Sequence, residues 1–334
     1  MSTANANKET DRFVHASWSD KSNPQAGKDR FLYHKPFGLA GINHQLSNLW
    51  ALLAEAVYLD RTAIIPPLLL AGHHNDGVPL NTKWERYIDI NSFEQVVKVR
   101  PSDFIKSVRF DTIRNVSNNH LPRTLLDEQA QLIVRRFSEP NAYELLDLIK
   151  NSTALAGRFE RLRKPSSIVM KLVEKIRSQL GDYDCIHVRR TDRLNEFKNL
   201  GLDRQTRPEY ILKRISKWIE EGRNLYVMSD ERDPRFFSPL APFYEVRTIF
   251  DFPELLALRR SGDNYLAFEV EKVLFKSACV RVGTFKEPAA SYCLGSKFSL
   301  VDYSMQGKMT FCRRTMSRVE STLKRFLGKR QEAG

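Results

Sequence analysis

Apolar and polar positions alternate along the first half of the chain in a way that predicts strands and helices in turn. A short apolar strand over residues 31–34 precedes a glycine-containing loop, an apolar helix over 45–59 and a second strand over 62–66. This order is typical of a βαβ unit with parallel strands. Helical periodicity also predicts helices over 125–137 and 142–149.

The second half of the chain repeats the α/β rhythm. Strands are predicted there at 185–188, 224–228, 245–249, 279–283 and 298–301. Helices are predicted at 167–179, 208–221 and 264–277. We therefore expect two α/β domains, over residues 28–163 and 164–306. A loose polar tail is expected over 1–27, and an amphipathic basic helix over 307–334.

The charge balance narrows the possible partners. With 53 Lys and Arg residues against 40 Asp and Glu residues, the 334-residue chain carries a formal charge of +13, which favours an anionic ligand. No basic stripe interleaved with aromatic residues and no helix-turn-helix or RNA-recognition signature occurs, so we expect no nucleic-acid partner. Much of the excess lies in the C-terminal basic helix, for which packing is the ordinary interpretation and peripheral contact with anionic lipid is the alternative.

The chain is expected to act in the cytosol. Met1–Asp11 lacks the apolar stretch of a secretory signal, and no segment approaches the length of a membrane span. The four cysteines are too widely spaced for a zinc site or a disulfide framework, which indicates a reducing compartment.

Polar side chains follow three of the predicted strands in the second half, within residues 187–192, 229–231 and 284–287. In an open α/β sheet, the carboxyl ends of parallel strands meet at one edge, where ligands bind. Arg189 and Arg190 leave a buried strand there, and guanidinium groups suit phosphate oxygens. A structural salt bridge at the strand end is the alternative.

Four blocks of the sequence, in the same order, resemble the GDP-fucose-dependent fucosyltransferases. This group comprises the α1,2-, α1,6- and protein O-fucosyltransferases, including the rhizobial enzymes that decorate Nod factors. The blocks are the glycine loop 37–45, the His-x-Arg-Arg-x-Asp segment 187–192, the strand 224–231 ending in Ser-Asp-Glu, and the helix and strand 271–285.

The resemblance implies a GT-B fold, in which two Rossmann-like domains face each other across a cleft. The N-terminal domain would lie on the acceptor side and the C-terminal domain would bind the nucleotide. It also implies inverting, metal-independent transfer of fucose from GDP-fucose to a hydroxyl of a glycan or protein, with no cofactor. A transferase for another nucleotide sugar, and a catalytically silent module that binds nucleotide sugars or glycans, remain alternatives.

Specific residues follow from the motifs. Arg189 is the first candidate for stabilising the leaving diphosphate and Arg190 the second; strand alternation points them in different directions. Glu196 is the candidate base, with a solvated loop glutamate as the alternative. The candidate donor-binding residues are Gly38, Gly41, Asn43, His187, Asp192, Ser229, Asp230, Glu231, Glu271, Thr284, Phe285 and Lys286.

Two positions depart from the family pattern, and one motif is rejected. Lys286-Glu287-Pro288 replaces the serines that usually follow the last strand, and Glu271 replaces the aspartate expected to meet guanine. Asp182-Tyr183-Asp184 matches the Asp-x-Asp pattern of metal-dependent transferases. Because it precedes its strand, we expect it at the wrong edge of the sheet and predict no metal.

Overall fold

The computed structural model describes residues 29–36, 41–70, 80–136, 145, 148–149, 152–191, 194, 202–284 and 301–302. These residues divide into two compact units. Those within 1–37, 46–66 and 93–162 form the first unit, and those within 38–45, 67–92 and 163–334 form the second unit.

The described elements alternate between strands and helices. The strands are β1 Phe31–Lys35, β2 Thr62–Ile64, β3 Leu68–Leu70, β4 Leu80–Thr82, β5 Ile88–Asp89, β6 Val99–Arg100, β7 Ile113–Ser117, β8 Leu132–Arg136, β9 Lys164–Pro165, β10 Tyr183–Val188, β11 Asn224–Ser229, β12 Glu245–Thr248, β13 Arg281–Gly283 and β14 Val301–Asp302. The α-helices are α1 Ile42–Tyr58, α2 Phe104–Ser107, α3 Ser152–Leu162, α4 Ser167–Leu180, α5 Leu202–Gln205, α6 Pro208–Ile215, α7 Pro253–Arg260 and α8 Asn264–Ser277. Short 3-10 helices occupy Trp84–Arg86, Ile90–Gln95, Pro122–Leu125, Ser238–Leu240 and Ile249–Asp251.

The first unit contains a five-stranded parallel sheet in the order β6-β2-β1-β8-β7. The predicted βαβ unit is confirmed: β1 and β2 are parallel, with Phe31 opposite Thr62, and α1 connects them. The apolar run 51–54 of α1 is fully buried. Helix burial on this scale explains why the segment is apolar on nearly all sides.

The helix predicted over 125–137 is wrong. The structure has a 3-10 turn at Pro122–Leu125 and then β8, which lies between β1 and β7. A short apolar run in a strand buried on both faces lacks the alternation that separates strands from helices. Of the helix predicted over 142–149, Leu145 and Leu148 are helical and the other residues except Ile149 lie outside the described ranges.

A buried polar network ties α1 to the first sheet. The Glu55 carboxylate is hydrogen-bonded to His34 Nε2 at 2.7 Å and accepts Arg135 Nε at 2.9 Å. Burial lowers the pKa of His34, so the imidazole is neutral near pH 7. Burial acts to raise the pKa of Glu55, but the hydrogen bonds from His34 and Arg135 and the positive charge of Arg135 outweigh it and lower that pKa. Glu55 is therefore an ionised carboxylate paired inside the unit.

The second unit contains the sheet β12-β11-β10-β13-β14, in which only β14 runs antiparallel to its neighbour. Val188 lies opposite Ser229, and His187 lies opposite Gly283. The carboxyl ends of β10, β11 and β13 therefore meet at one edge, as the sequence predicted.

The two faces of the second sheet are covered by different elements. Ile186 and Val188 pack with Ile211 and Ile215 of α6 in one apolar cluster. On the opposite face, the Tyr183 hydroxyl donates to the carbonyl of Leu274 in α8 at 2.7 Å. Sheet alternation thus separates two cores, one on each face.

The helices of the second unit agree with their predicted bounds to different degrees. Helix α8 has the predicted bounds, whereas α6 ends six residues before its predicted end at 221. Helix α7 was not predicted. The α/β class is confirmed for both units, and within the described ranges no helix has the length and apolar character to span a membrane. The tail 1–27 and the basic helix 307–334 lie outside the described residues.

Replacing Glu55 with alanine is expected to lower the free energy of unfolding by about 3–5 kcal/mol, because it leaves the Arg135 guanidinium buried without its counter-charge. Urea denaturation followed by tryptophan fluorescence measures the change. The control is Glu94→Ala, at an exposed position of the same unit, which is expected to change stability by about 0.5 kcal/mol or less. Equal stability of the two variants would contradict the role given to the network.

Candidate functional site

The edge where β10, β11 and β13 end is built around a turn of four residues, 188–191. Thr284 follows β13, and its hydroxyl donates to the carbonyl of His187 at 2.6 Å. The same oxygen accepts the backbone N–H of Arg189 at 3.0 Å. The hydroxyl therefore continues the β10–β13 pairing one residue beyond the last paired backbone position, His187 with Gly283.

Side chains from the end of β11 hold the other side of the same turn. The Ser229 hydroxyl donates to the carbonyl of Val188 at 2.7 Å, and the Asp230 carboxylate accepts the backbone N–H of Arg190 at 2.7 Å. The Thr191 hydroxyl donates to the carbonyl of Asp230 at 3.0 Å. Two of these side chains, Ser229 and Asp230, were predicted to bind the donor, and here they hold the chain that follows β10.

The Arg190 guanidinium is bound by protein groups. It donates to Glu231 at 3.1 Å, to the Asp203 carboxylate at 2.8 Å and to the Thr206 hydroxyl at 2.9 Å. It also stacks over the Phe236 ring, with 4.4 Å from the guanidinium carbon to the ring centroid. The side chain is 12% exposed. Arg190 therefore forms the structural salt bridge at the strand end that the sequence analysis left as the alternative to phosphate binding.

His187 lies on the opposite face of β10, and Arg189 follows one residue beyond the end of that strand. Both residues are half-buried. The His187 ring lies edge-on to Phe275 of α8, with 6.2 Å between ring centroids. Continued strand alternation would place Arg189 on the side of His187, away from the groups that surround Arg190.

Glu271 is buried beneath this face. Its carboxylate accepts the Tyr226 hydroxyl at 2.7 Å, and the residue is 6% exposed. Burial raises the pKa of Glu271 to about 7, although the hydrogen bond from Tyr226 lowers it. The carboxyl is therefore about half protonated near pH 7, because burial disfavours its charged form more than the Tyr226 hydrogen bond and the charge of Arg259 favour it.

Gly41 and Asn43 lie at the start of α1. The Gly41 carbonyl accepts the backbone N–H groups of His44 and Gln45, at 3.0 and 3.2 Å, and thereby opens the helix. Asn43 is exposed in the first turn. Gln45 fixes this segment, because its amide makes hydrogen bonds of 2.5 and 2.8 Å with the backbone carbonyl and N–H of Leu69.

Five of the predicted site residues lie outside the described ranges: Gly38, Asp192, Glu196, Phe285 and Lys286. The Asp-x-Asp pattern lies at the opposite edge of the sheet, as expected. There Asp184 pairs with Arg223 at 2.9 Å and accepts the N–H of Val280 at 2.9 Å. Among the described side chains, no group of three or more histidines, cysteines or acids is placed to hold a metal ion.

Three partners of Arg190 were not predicted from the sequence: Asp203, Thr206 and Phe236. Asp203 and Thr206 are 13 and 16 positions away along the chain. A charged residue four positions before Arg207 indicates a local helical ion pair, and that pair does form, at 2.6 Å. Nothing in the local pattern indicates the second, long-range contact of the same carboxylate.

A comparison with solved structures finds fucosyltransferases. POFUT1 in complex with GDP-fucose is 12% identical, over 79% of this chain and 92% of that one, with a TM-score of 0.49. The NodZ α-1,6-fucosyltransferase co-crystallised with GDP is 13% identical, over 76% and 87% of the two chains, with a TM-score of 0.43. The fucosyltransferase NodZ from Bradyrhizobium is 12% identical, over 76% and 88%, with a TM-score of 0.44.

No protein-family model matches the chain, and no curated protein matches it in sequence.

Replacing Arg190 with alanine is expected to lower the free energy of unfolding by about 1.5–3 kcal/mol, since it removes charge-assisted hydrogen bonds from a mostly buried group. Thermal and urea denaturation measure the change. Arg235→Ala is the matched control, because the Arg235 side chain is 89% exposed and pairs only loosely, at 3.9 Å, with Asp233. A loss no greater than that of the control would show that the Arg190 contacts contribute little.

Glu271→Gln is expected to flatten the dependence of stability on pH. The folded-state pKa lies above the ordinary value of 4.5, so the wild-type protein loses stability as the pH rises from about 4.5 through 7. The glutamine variant lacks this loss and should gain stability relative to wild type at pH 8. Urea denaturation from pH 5 to pH 8 measures both profiles, with Glu245→Gln, at an exposed position, as control. Parallel profiles for wild type and Glu271→Gln would contradict the assignment.

Proposed function

We propose that this chain is an inverting glycosyltransferase that moves fucose from GDP-fucose to a hydroxyl of a glycan or protein. The observation that carries the proposal is the position of Arg189, one residue beyond β10, in a turn whose backbone is held from both sides. The His-x-Arg-Arg-x-Asp segment and the three other blocks supply the family context.

The reaction needs a positive charge close to the donor bond that breaks. The acceptor oxygen attacks the anomeric carbon, the bond from that carbon to the β-phosphate oxygen breaks, and GDP leaves with the electron pair. Negative charge therefore grows on the β-phosphate in the transition state. A fixed guanidinium directed at that charge stabilises it by about 3–4 kcal/mol.

We assign that role to Arg189. The Arg190 guanidinium already donates hydrogen bonds to Asp203, Thr206 and Glu231, and these would have to break before it could bind phosphate. Arg190 then contributes to the site by fixing the chain around Arg189.

The acceptor proton passes to a base, for which Glu196 remains the candidate. The donor nucleotide would be bound by the second unit, with Asn43 and the glycines before α1 as further donor contacts. We also propose a GT-B fold, transfer without a metal ion or other cofactor, and a cytosolic location, which the widely spaced cysteines favour. Peripheral membrane contact through residues 307–334 remains an expectation.

The alternatives make different predictions for binding and turnover. Calorimetry with GDP and GDP-fucose, together with an assay of GDP release over a panel of acceptors, separates them. Binding with release supports the proposal, and release from a different nucleotide sugar identifies another transferase. Binding without release on any acceptor indicates a silent module, and indifference to all nucleotides rejects the proposal.

Arg189→Ala is expected to lower turnover of GDP-fucose by about 100-fold or more, because it removes the cation that meets the leaving diphosphate. The variant should keep the circular dichroism spectrum and melting temperature of the wild type. Arg247→Ala, at an exposed position of β12, removes the same charge elsewhere and should retain wild-type turnover. A folded Arg189→Ala protein with near-normal turnover would reject the assignment.

A further inference from the structure

The Thr284 hydroxyl has no proton left for a ligand. A threonine hydroxyl carries one hydrogen and two acceptor lone pairs. Here the hydrogen is donated to the carbonyl of His187 at 2.6 Å, and the oxygen accepts the N–H of Arg189 at 3.0 Å. Phosphate oxygens accept hydrogen bonds, so Thr284 could bind one only by giving up the contact with His187.

Thr284 is also enclosed by the protein. It is 2% exposed, and its own backbone N–H donates to the same His187 carbonyl at 3.0 Å. Residue 284 therefore clamps β10 through backbone and side chain together. A buried hydroxyl with both functions satisfied is costly to redirect, because its former partners would be left without hydrogen bonds.

The contacts fix the peptide groups on either side of the arginine. Thr284 holds the carbonyl of His187 and the N–H of Arg189, while Ser229 holds the carbonyl of Val188 and Asp230 holds the N–H of Arg190. Together they restrict the rotation of the backbone at Arg189 and hence the direction in which its side chain leaves the turn.

We infer that Thr284 is a positioning residue, which acts on the donor through Arg189 and does not itself contact the diphosphate. This inference rests on the proposed function and deepens it. Thr284 was predicted from the sequence motif to bind the donor directly, whereas the inference gives it an indirect role.

The first test compares two substitutions with different chemistry. Thr284→Val keeps the shape of the side chain and removes its hydroxyl. It is expected to lower kcat for GDP-fucose turnover about tenfold, because the Arg189 guanidinium loses part of its fixed direction. Thr284→Ser keeps the hydroxyl and should restore wild-type turnover. Thr124→Val makes the same change at an exposed position of the first unit and should leave turnover unchanged. Equal turnover of the valine variant and the wild type overturns the inference.

The second test distinguishes positioning from direct contact. In a double-mutant cycle measured by calorimetry with GDP, Thr284→Val should weaken binding in the wild-type background but have no further effect in an Arg189→Ala background. The same fold-change in both backgrounds indicates an independent contact with the ligand and overturns the inference.

A third measurement does not depend on activity. Hydrogen–deuterium exchange in peptides spanning residues 187–191 should be slow in the wild type and in Thr284→Ser but faster in Thr284→Val, because the Arg189 N–H loses its acceptor. Unchanged exchange overturns the inference whatever the ligand. If exchange is faster in Thr284→Val but the protein does not bind GDP, then the hydrogen bonds of Thr284 hold the segment as inferred, and it is the proposed function that is wrong.

Discussion

The turn at Arg189 and Arg190 is held by hydrogen bonds from the ends of the two strands beside β10. The parallel pairing that builds the second sheet stops at His187 and Gly283 on one side and at Val188 and Ser229 on the other. Beyond those points the backbone would be free to rotate. There the side chains of Thr284, Ser229 and Asp230 replace the backbone hydrogen bonds of the sheet. They hold the backbone of residues 188–190 in one conformation, from which the arginine side chains extend.

This constraint gives two adjacent residues of the same type different roles. Strand alternation sends Arg190 toward α6, where acidic groups, a hydroxyl and an aromatic ring surround its guanidinium. Continued alternation would place Arg189 on the other face, beyond His187. One arginine then stabilises the architecture, and the other is the one that we propose meets the donor.

Much of the second sheet follows from local pattern, because buried strands and amphipathic helices leave strong periodic signals. Helix α8 has its predicted bounds, and Asp263 caps it by accepting the N–H of Leu266. Strand β8 was missed because its apolar run has no alternation. The assignment of segments 38–45 and 67–92 to the second unit depends on contacts such as Arg86 with Asp263, 177 positions apart, which no local pattern contains.

The candidate site was predictable in position but not in detail. Polar residues at strand ends indicate where a ligand binds, since the carboxyl ends of parallel strands share an edge. They do not indicate which polar groups the fold itself uses. Thr284, Ser229 and Asp230 were predicted to face the donor, yet their hydrogen bonds hold the chain, and the partners of Arg190 come from a distant segment.

The most direct measurement is a crystal structure of the protein with GDP. We expect the diphosphate to lie at the carboxyl ends of β10 and β13, with a phosphate oxygen within hydrogen-bond distance of the Arg189 guanidinium. The Thr284 hydroxyl should still be hydrogen-bonded to the backbone of His187 and Arg189. A nucleotide bound away from that edge, or one whose phosphates meet Thr284 while Arg189 points elsewhere, would contradict this expectation.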